Sequence, residues 1–176
     1  MPVSDEIIIE TVKKITTDFE PVSFRNQLTI FIPKDKLIEV AQMLRDNSVT
    51  DFDMLTDISA IDKLTPEDRF EVVYFLYSNK NKTRLRLKVK VQEENPSVPT
   101  LVDIWESANW YERETFDMYG IKFENHPDLR RLYMPEDYVV PETGEPIYPL
   151  RKDFPLMGIP GSLQMPPYPE KYGEPK

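Results

Sequence analysis

Glycine is missing from the first 119 residues of this chain, and all five glycines lie from Gly120 onward, together with most of the seventeen prolines. Proline removes a backbone donor and blocks helix interiors, and glycine frees the backbone for positive φ. Regular elements packed on a core are therefore expected before Gly120, and an irregular, stiffened segment after it. The division predicts a packed domain over residues 1–120 and an extended C-terminal docking arm over residues 121–176.

The first part reads element by element. Ser4 precedes Asp5 and Glu6 as a helix cap, and Ile8, Val12, Ile15 and Phe19 repeat at helical spacing until Pro21. Val22–Phe24 and Leu28–Ile32 alternate like two strands joined through Asn26, a residue that tolerates positive φ. Pro33 opens a second helix carrying Leu37, Val40, Ala41 and Leu44. Phe52–Ile61 is a third strand, with Asp51, Asp53 and Asp57 opposite Phe52, Met54 and Ile58. No glycine-containing calcium loop accompanies those aspartates, so solvated strand charge is the preferred reading.

Phe70–Tyr77 is apolar on both faces, as a central strand requires, and Ser78–Lys82 is a turn in which Asn79 and Asn81 replace glycine. Thr83–Val91 alternates strictly, with Leu85, Leu87, Val89 and Val91 against Arg84, Arg86, Lys88 and Lys90. The cations form either a solvated face partly neutralised by Glu71 or a strip for an acidic partner or lipid head groups. The solvated face is the simpler reading. A last helix follows Thr100 and Asp103, read as capping-box starts, and closes at Gly120 as the C′ residue. The order α-β-β-α-β-β-β-α predicts an α+β fold, a two-layer sandwich of a mixed sheet with helices on one face, followed by a long irregular Pro-rich C-terminal arm.

The last helix carries the densest chemistry. Ala108, Tyr111, Thr115 and Met118 form its buried stripe, which places Glu112, Arg113, Glu114 and Asp117 on a solvated or partner-facing side, with Arg113 in reach of Asp117. Glu112 and Glu114 point about 200° apart, and Glu112 and Asp117 about 140° apart, so neither pair converges on one substrate atom. A stand-alone hydrolase using Glu112, Asp117 and His126 is thus disfavoured. His126, the only histidine, sits at a turn with no nucleophile nearby, which favours a hydrogen-bonded structural role.

The run Glu112-Arg113-Glu114, Asp117, Gly120-Ile121, Phe123, His126-Pro127, Leu129 and Arg131 resembles the signature of the C subunit of NADH-quinone oxidoreductase, in respiratory complex I. Met134–Asp137 and Pro149–Pro155 are similar to that family's second block, while Val139–Tyr148 is longer than the family pattern and nothing after Leu156 resembles it. The resemblance implies a non-catalytic assembly subunit of the peripheral arm of a proton-translocating complex. That complex passes electrons from NADH through FMN and iron–sulfur clusters, all held in partner subunits, to a quinone. It implies contacts with the quinone-site D subunit and the cluster-bearing B subunit, and a peripheral place on the cytoplasmic side of the cell membrane. The residues that the motif nominates for docking are Glu112, Arg113, Glu114, Asp117, Gly120, His126, Pro127, Arg131, Arg151, Lys152, Asp153 and Phe154. No catalytic, cofactor-binding or metal residue is nominated. The alternative is the equivalent subunit of a related membrane-bound hydrogenase or of a ferredoxin- or F420-dependent complex.

The composition agrees with that expectation. Zero cysteines exclude thiolate-bound clusters, and one histidine argues against a protein-built zinc site. A net charge of −9 disfavours nucleic acid. The acidic N-terminus lacks a cationic leader and no apolar run spans a bilayer, so the chain reads as soluble and intracellular. The arm carries Tyr133, Tyr138, Tyr148, Phe154, Tyr168 and Tyr172, the aromatic content of an interface, with Arg130, Arg131, Arg151 and Lys152 as its anchors.

Overall fold

The computed structural model describes residues 2–65, 67–140 and 143–154. Helix α1 is Asp5–Lys13; strands β1 (Glu20–Phe24) and β2 (Gln27–Phe31) form a hairpin; a 3-10 turn over Lys34–Lys36 leads into α2 (Leu37–Asp46). Strands β3 (Met54–Asp62), β4 (Phe70–Ser78) and β5 (Thr83–Val91) follow, then β6 (Ser97–Pro99), α3 (Ala108–Tyr119) and β7 (Lys122–Glu124). The main sheet has the order β1-β2-β5-β4-β3. It is mixed, because β2 runs parallel to β5 while the other pairs are antiparallel. The α+β class, the mixed sheet and the order of the large elements are as the sequence predicts.

One face of the sheet makes the core. Leu87 stands beside Tyr74, and Tyr74 beside Ile58. These three join Ile8, Val12, Val40 and Leu44 of the first two helices and Trp105 and Ala108 at the third in one cluster. The period-2 stripe of β5 and the helical stripe of α2 are buried as read. Strand β4 lies at the centre of its half of the sheet, which explains why its side chains are apolar in both directions.

Several local readings change. Helix α1 ends at Lys13, and Pro21 sits inside β1, where an edge strand can spare an N–H. Ser4 precedes α1 but makes no side-chain cap bond. In β3 a bulge between Leu55 and Asp57 breaks the alternation, so Leu55 and Ile58 are buried while Met54 is exposed. In the β4–β5 turn Lys82, not an asparagine, takes the positive φ of 54°. Asn81 is held instead by its amide, which donates to the Val49 and Thr50 carbonyls. The β1–β2 turn places both Arg25 and Asn26 at positive φ, the geometry of a tight two-residue hairpin.

Helix α3 starts at Ala108, later than the capping boxes predict. Thr100 and Asp103 fail as caps because the Thr100 hydroxyl is engaged elsewhere, donating to Glu112 and accepting the Val102 N–H. The packed fold also continues past Gly120. Strand β7 pairs in parallel with β6, and Ile121 and Phe123 belong to the core cluster. Lys34 ties this small sheet to the main body through Ser97 and Glu124. Three-residue strands are too short for periodicity to register, which is why the boundary at residue 120 falls inside the fold.

Candidate functional site

Helix α3 runs along the β3 edge of the sheet and closes it. The Ser107 and Thr115 hydroxyls donate to the Leu55 and Ile58 carbonyls at 3.1 and 3.0 Å, and the Trp105 indole donates to the Phe52 carbonyl at 3.2 Å. An edge strand that would otherwise offer free carbonyls is thus occupied by helix side chains. Thr115 falls in the buried stripe by its spacing, and its hydroxyl is the reason it belongs there.

The charged side of α3 is not solvated. Glu112 and Asp117 are fully buried and Arg113 nearly so. The expectation of an open charged face fails because residues 130–134 return onto Arg113 and Asp117, while Thr100 and Leu101 close over Glu112. Arg113 does not pair with Asp117. Its guanidinium donates to the Arg130 and Arg131 carbonyls at 3.1 and 3.2 Å and lies 5.3 Å from the Trp110 ring.

Asp117 is the centre of this seam. Its Oδ2 accepts three successive backbone N–H groups, from Leu132, Tyr133 and Met134, at 3.0, 2.7 and 2.9 Å. Arg131 reaches its Oδ1 at 3.4 Å and also donates to the Ile147 carbonyl. The turn of chain after Arg131 is therefore shaped around one carboxylate, which satisfies donors that burial would otherwise strand.

A second anchor forms over Gly120. The Tyr148 ring lies between two guanidiniums, with Arg151 at 4.5 Å and Arg131 at 5.5 Å from its centroid. Arg151 also donates to the Tyr119 carbonyl at 2.6 Å and packs over Phe70. A Cβ on Gly120 would stand 2.5 Å from Tyr148 and 2.6 Å from Arg151, and its φ of +75° favours glycine independently. Burial, reinforced by the nearby Arg69 charge, lowers the Arg151 pKa.

The third anchor joins the second motif block to the β3–β4 connection. Arg69, almost wholly buried, binds Asp62 in a two-pronged pair at 3.1 and 3.2 Å, Asp153 at 2.7 Å, and Glu93. The Lys152 N–H donates to Asp62 at 2.8 Å. Burial acts to raise the Asp62 pKa, but the Arg69 guanidinium and the Lys152 and Leu64 N–H groups outweigh it and hold the carboxyl below its usual range. Nothing in the sequence singles out Asp62 or Arg69. The Asp153 that completes this anchor lies 84 residues away from Arg69, and no local pattern encodes such a pairing.

Glu112 behaves differently from Asp117. Among the described residues its two oxygens accept only the Thr100 hydroxyl at 2.5 Å and the Leu101 N–H at 2.7 Å. Burial outweighs these bonds and pushes its pKa up to about 7. His126 lies 3.9 Å away, yet burial lowers the imidazole pKa, so the contact is not an ion pair near neutral pH. The His126 ring instead meets the Asn109 carbonyl and accepts the Asp128 N–H. The Tyr74 hydroxyl, buried with no hydrogen-bond partner among the described residues, faces the same region, and burial and the Glu112 charge raise its pKa.

The nominated docking residues thus fall into two groups. Glu112, Arg113, Asp117, Gly120, Arg131 and Arg151 are spent on contacts within the chain, and His126 is largely so. Glu114 and Phe154 are half-buried, Pro127 and Lys152 are exposed, and Asp153 is exposed but holds Arg69. Pro155 and everything beyond it, including Tyr168 and Tyr172, lie outside the described residues. Glu114 borders a cleft of about 70 Å³ with Asp57, Ser59 and Tyr119, well short of the roughly 300 Å³ at which small-molecule sites begin. Among the described residues no three His, Cys, Asp or Glu side chains are grouped to hold a metal ion, and no helix is long and apolar enough to cross a membrane.

Comparison with known proteins gives a consistent result. The C subunit of NADH-quinone oxidoreductase from Roseiflexus sp. (strain RS-1) is 43% identical over 133 residues, 76% of this chain and 72% of the relative. A solved trypsin-resistant fragment (1-134) of Nqo5 is 34% identical with a TM-score of 0.59, covering 71% of this chain and 98% of the fragment. A chain of the membrane-bound sulfane sulfur reductase, an archaeal respiratory membrane complex, shares the fold at a TM-score of 0.67 and 24% identity over 87% of this chain and 86% of its own. Residues 30–160 match the family described as respiratory-chain NADH dehydrogenase, 30 Kd subunit, and the chain belongs to that family.

Proposed function

We propose that this chain is a non-catalytic assembly subunit in the peripheral arm of a proton-translocating NADH–quinone oxidoreductase. Electrons pass from NADH through FMN and iron–sulfur clusters to a quinone in the partner subunits, and this chain binds none of those groups. Its place is on the cytoplasmic side of the membrane, against the quinone-site subunit and the cluster-bearing subunit. The observation that carries the reading is the occupation of the motif carboxylates. Asp117 is filled by three N–H groups and Arg131, and Glu112 by Thr100 and Leu101, so neither is free to serve a substrate. What the seam offers outward is a set of exposed apolar groups, Trp110, Tyr133 and Leu150, beside Lys152. Aromatic groups on a rigid support are the usual anchors of protein interfaces.

This changes which substitutions report on docking. Arg151 and Phe154 look like contact residues in the sequence, but Arg151 holds the chain's own seam, so its loss acts on folding first. Tyr133→Ala and Leu150→Ala are the cleaner probes. The test is purification of the tagged full chain from its native membranes in mild detergent. Wild type is expected to carry flavin and cluster subunits and NADH–quinone reductase activity, and the double variant to lose them with an unchanged melting temperature. A colourless wild-type chain eluting alone would overturn the reading. The fold likeness to the sulfane sulfur reductase chain keeps one alternative in view, a related membrane-bound complex with another electron donor. A co-purifying hydrogenase or sulfur-reductase large subunit in place of the NADH-binding subunits would select it.

A further inference from the structure

The face of the main sheet opposite the helices carries the cationic strip of β5, and that strip divides into two unlike halves. Lys88 and Lys90 are answered within the chain. Glu71 binds Lys88 at 2.9 Å, and Asp68 stands 3.7 Å from Lys90. Arg84 and Arg86 meet no carboxylate among the described residues, and the Arg86 Nε is buried without a hydrogen-bond partner. The chain has 31 acidic and 22 basic residues, and the carboxylates that share this face, Glu20 and Asp57, form no ion pair with either arginine.

The surroundings of the two arginines are apolar and open. Register across the sheet sets Val22 beside Thr29, Thr29 beside Arg86, and Arg86 beside Phe75. Val22 and Phe24 are exposed, and Arg84 stacks 5.6 Å from the Tyr77 ring. A cleft of about 130 Å³ opens between Gln27, Thr56, Phe75, Arg84 and Arg86. Helices α1 and α2 pack on the other face and α3 runs along the β3 edge, so among the described residues no helix lies over this face. Neither sheet edge competes for the role: β3 is closed by α3 hydroxyls, and Pro21 interrupts the N–H row of β1.

We propose that this face is a docking surface for an acidic protein segment, whose carboxylate enters between Arg84 and Arg86 and whose apolar side chains lie on Phe75 and Val22. The proposal rests on the reading of the chain as an assembly subunit. Guanidinium forks match carboxylates in two-point geometry, and the aromatic neighbours supply the desolvated wall that strengthens such a contact. A membrane is the weaker occupant on charge grounds. Glu20 and Asp57 share the face with the arginines, and the whole chain is at −9, which an anionic lipid surface would repel.

The test uses the full chain in its native complex. A photo-crosslinking amino acid replacing Phe75 is expected to yield an adduct with an Asp- or Glu-bearing peptide of another subunit. Arg84→Glu with Arg86→Glu is expected to lower incorporation into the complex about tenfold or more, and Arg84→Gln with Arg86→Gln to lower it less, while both purified chains melt with the wild type. Equal incorporation of the charge-reversed and wild-type chains would overturn the proposal. So would an adduct with lipid, with residues 155–176 of the same chain, or with a peptide lacking acidic residues. Failure of the wild type itself to enter a complex would remove the assembly reading and this proposal together, and is distinguished by the wild-type lane alone.

Discussion

The layer between the sheet and α1 and α2 and the seam that α3 makes with residues 128–134 and 147–154 are both buried, yet different forces hold them. The first is a continuous apolar cluster of Ile8, Val12, Val40, Leu44, Leu87 and their neighbours. The second is built on charged and polar side chains that each satisfy several partners: Asp117 with three N–H groups, Arg151 with a carbonyl and two rings, Arg69 with three carboxylates. An apolar layer loses stability in proportion to the volume removed and tolerates exchange of like for like. A polar seam fails abruptly, because removing one partner leaves the others buried and unmet.

The sharpest way to separate the two is to remove one group from each and follow hydrogen exchange. Asp117→Ala strands three buried N–H groups and is expected to cost about 4 kcal/mol, counted at 1–3 kcal/mol for each unmet donor with partial rescue by water. Exchange protection should vanish at Leu132, Tyr133 and Met134 while the amides of β4 stay protected. Leu87→Ala is expected to cost about 3 kcal/mol, and to weaken β4 and β5 without freeing residues 132–134 selectively. If the two variants lose protection in the same places, seam and core are one cooperative unit and the distinction collapses.

This contrast also explains what the sequence could disclose. The apolar layer announces itself by spacing, since Leu85–Val91 and Leu37–Leu44 repeat at the strand and helix periods. The seam has no period. Glu112, Arg113 and Asp117 look solvated when judged by their neighbours on the helix, but chain returning at residues 130–134 meets Arg113 and Asp117, and Thr100 and Leu101 meet Glu112. The motif resemblance found these residues without disclosing what they do. Asp62 and Arg69, which complete the seam, carry no local sign at all, and Tyr148 reads only as one aromatic of the arm. Likewise the β3 bulge exchanges the faces of Met54 and Leu55, a shift that strict alternation cannot foresee.

Glu112, which lies beside the seam against Thr100 and Leu101, sharpens the comparison, because it is buried with half the donors of Asp117. Its pKa rises from the ordinary 4.5 to about 7, and each unit corresponds to about 1.4 kcal/mol. Ionised Glu112 therefore destabilises the fold by roughly 3 kcal/mol. The folded state holds the proton more tightly than the unfolded state, so the cost is absent below pH 4.5, grows between 4.5 and 7, and is complete above that. His126 works the other way: its lowered pKa means stability gained as pH rises through its own range. The difference between Glu112→Gln and wild type cancels that contribution. Urea unfolding is expected to show the variant gaining about 3 kcal/mol on wild type between roughly pH 4.5 and pH 8; a pH-independent difference would mean that folding leaves the Glu112 pKa unshifted.

Gly120 tests whether the seam depends on close approach. Gly120→Ala adds a left-handed residue with a Cβ and forces Tyr148 and Arg151 apart, an expected loss of about 2 kcal/mol. Tyr148→Ala should relieve the steric share of that loss, so the double variant is predicted to fall short of the sum of the singles. Strict additivity would place the whole effect in the backbone strain and leave the stack uninvolved.

The smallest effect comes from two adjacent arginines. Arg131 is buried against Asp117 and the Ile147 carbonyl, whereas Arg130 forms a two-bond pair with Asp128 at 2.7 Å in full view of solvent. On geometry alone the Arg130 pair looks the better of the two. Water and salt screen it, however, and two long side chains lose freedom to make it, so its net contribution is near zero. Arg130→Ala should leave the unfolding midpoint unchanged in low and high salt, since the Arg130 carbonyl that Arg113 uses survives the substitution. Arg131→Ala, by contrast, removes a donor from a carboxylate that has no other side-chain partner among the described residues and should lower the midpoint clearly. A measurable loss from Arg130→Ala that disappears in high salt would show that exposed charge, and not only buried donors, holds the seam closed.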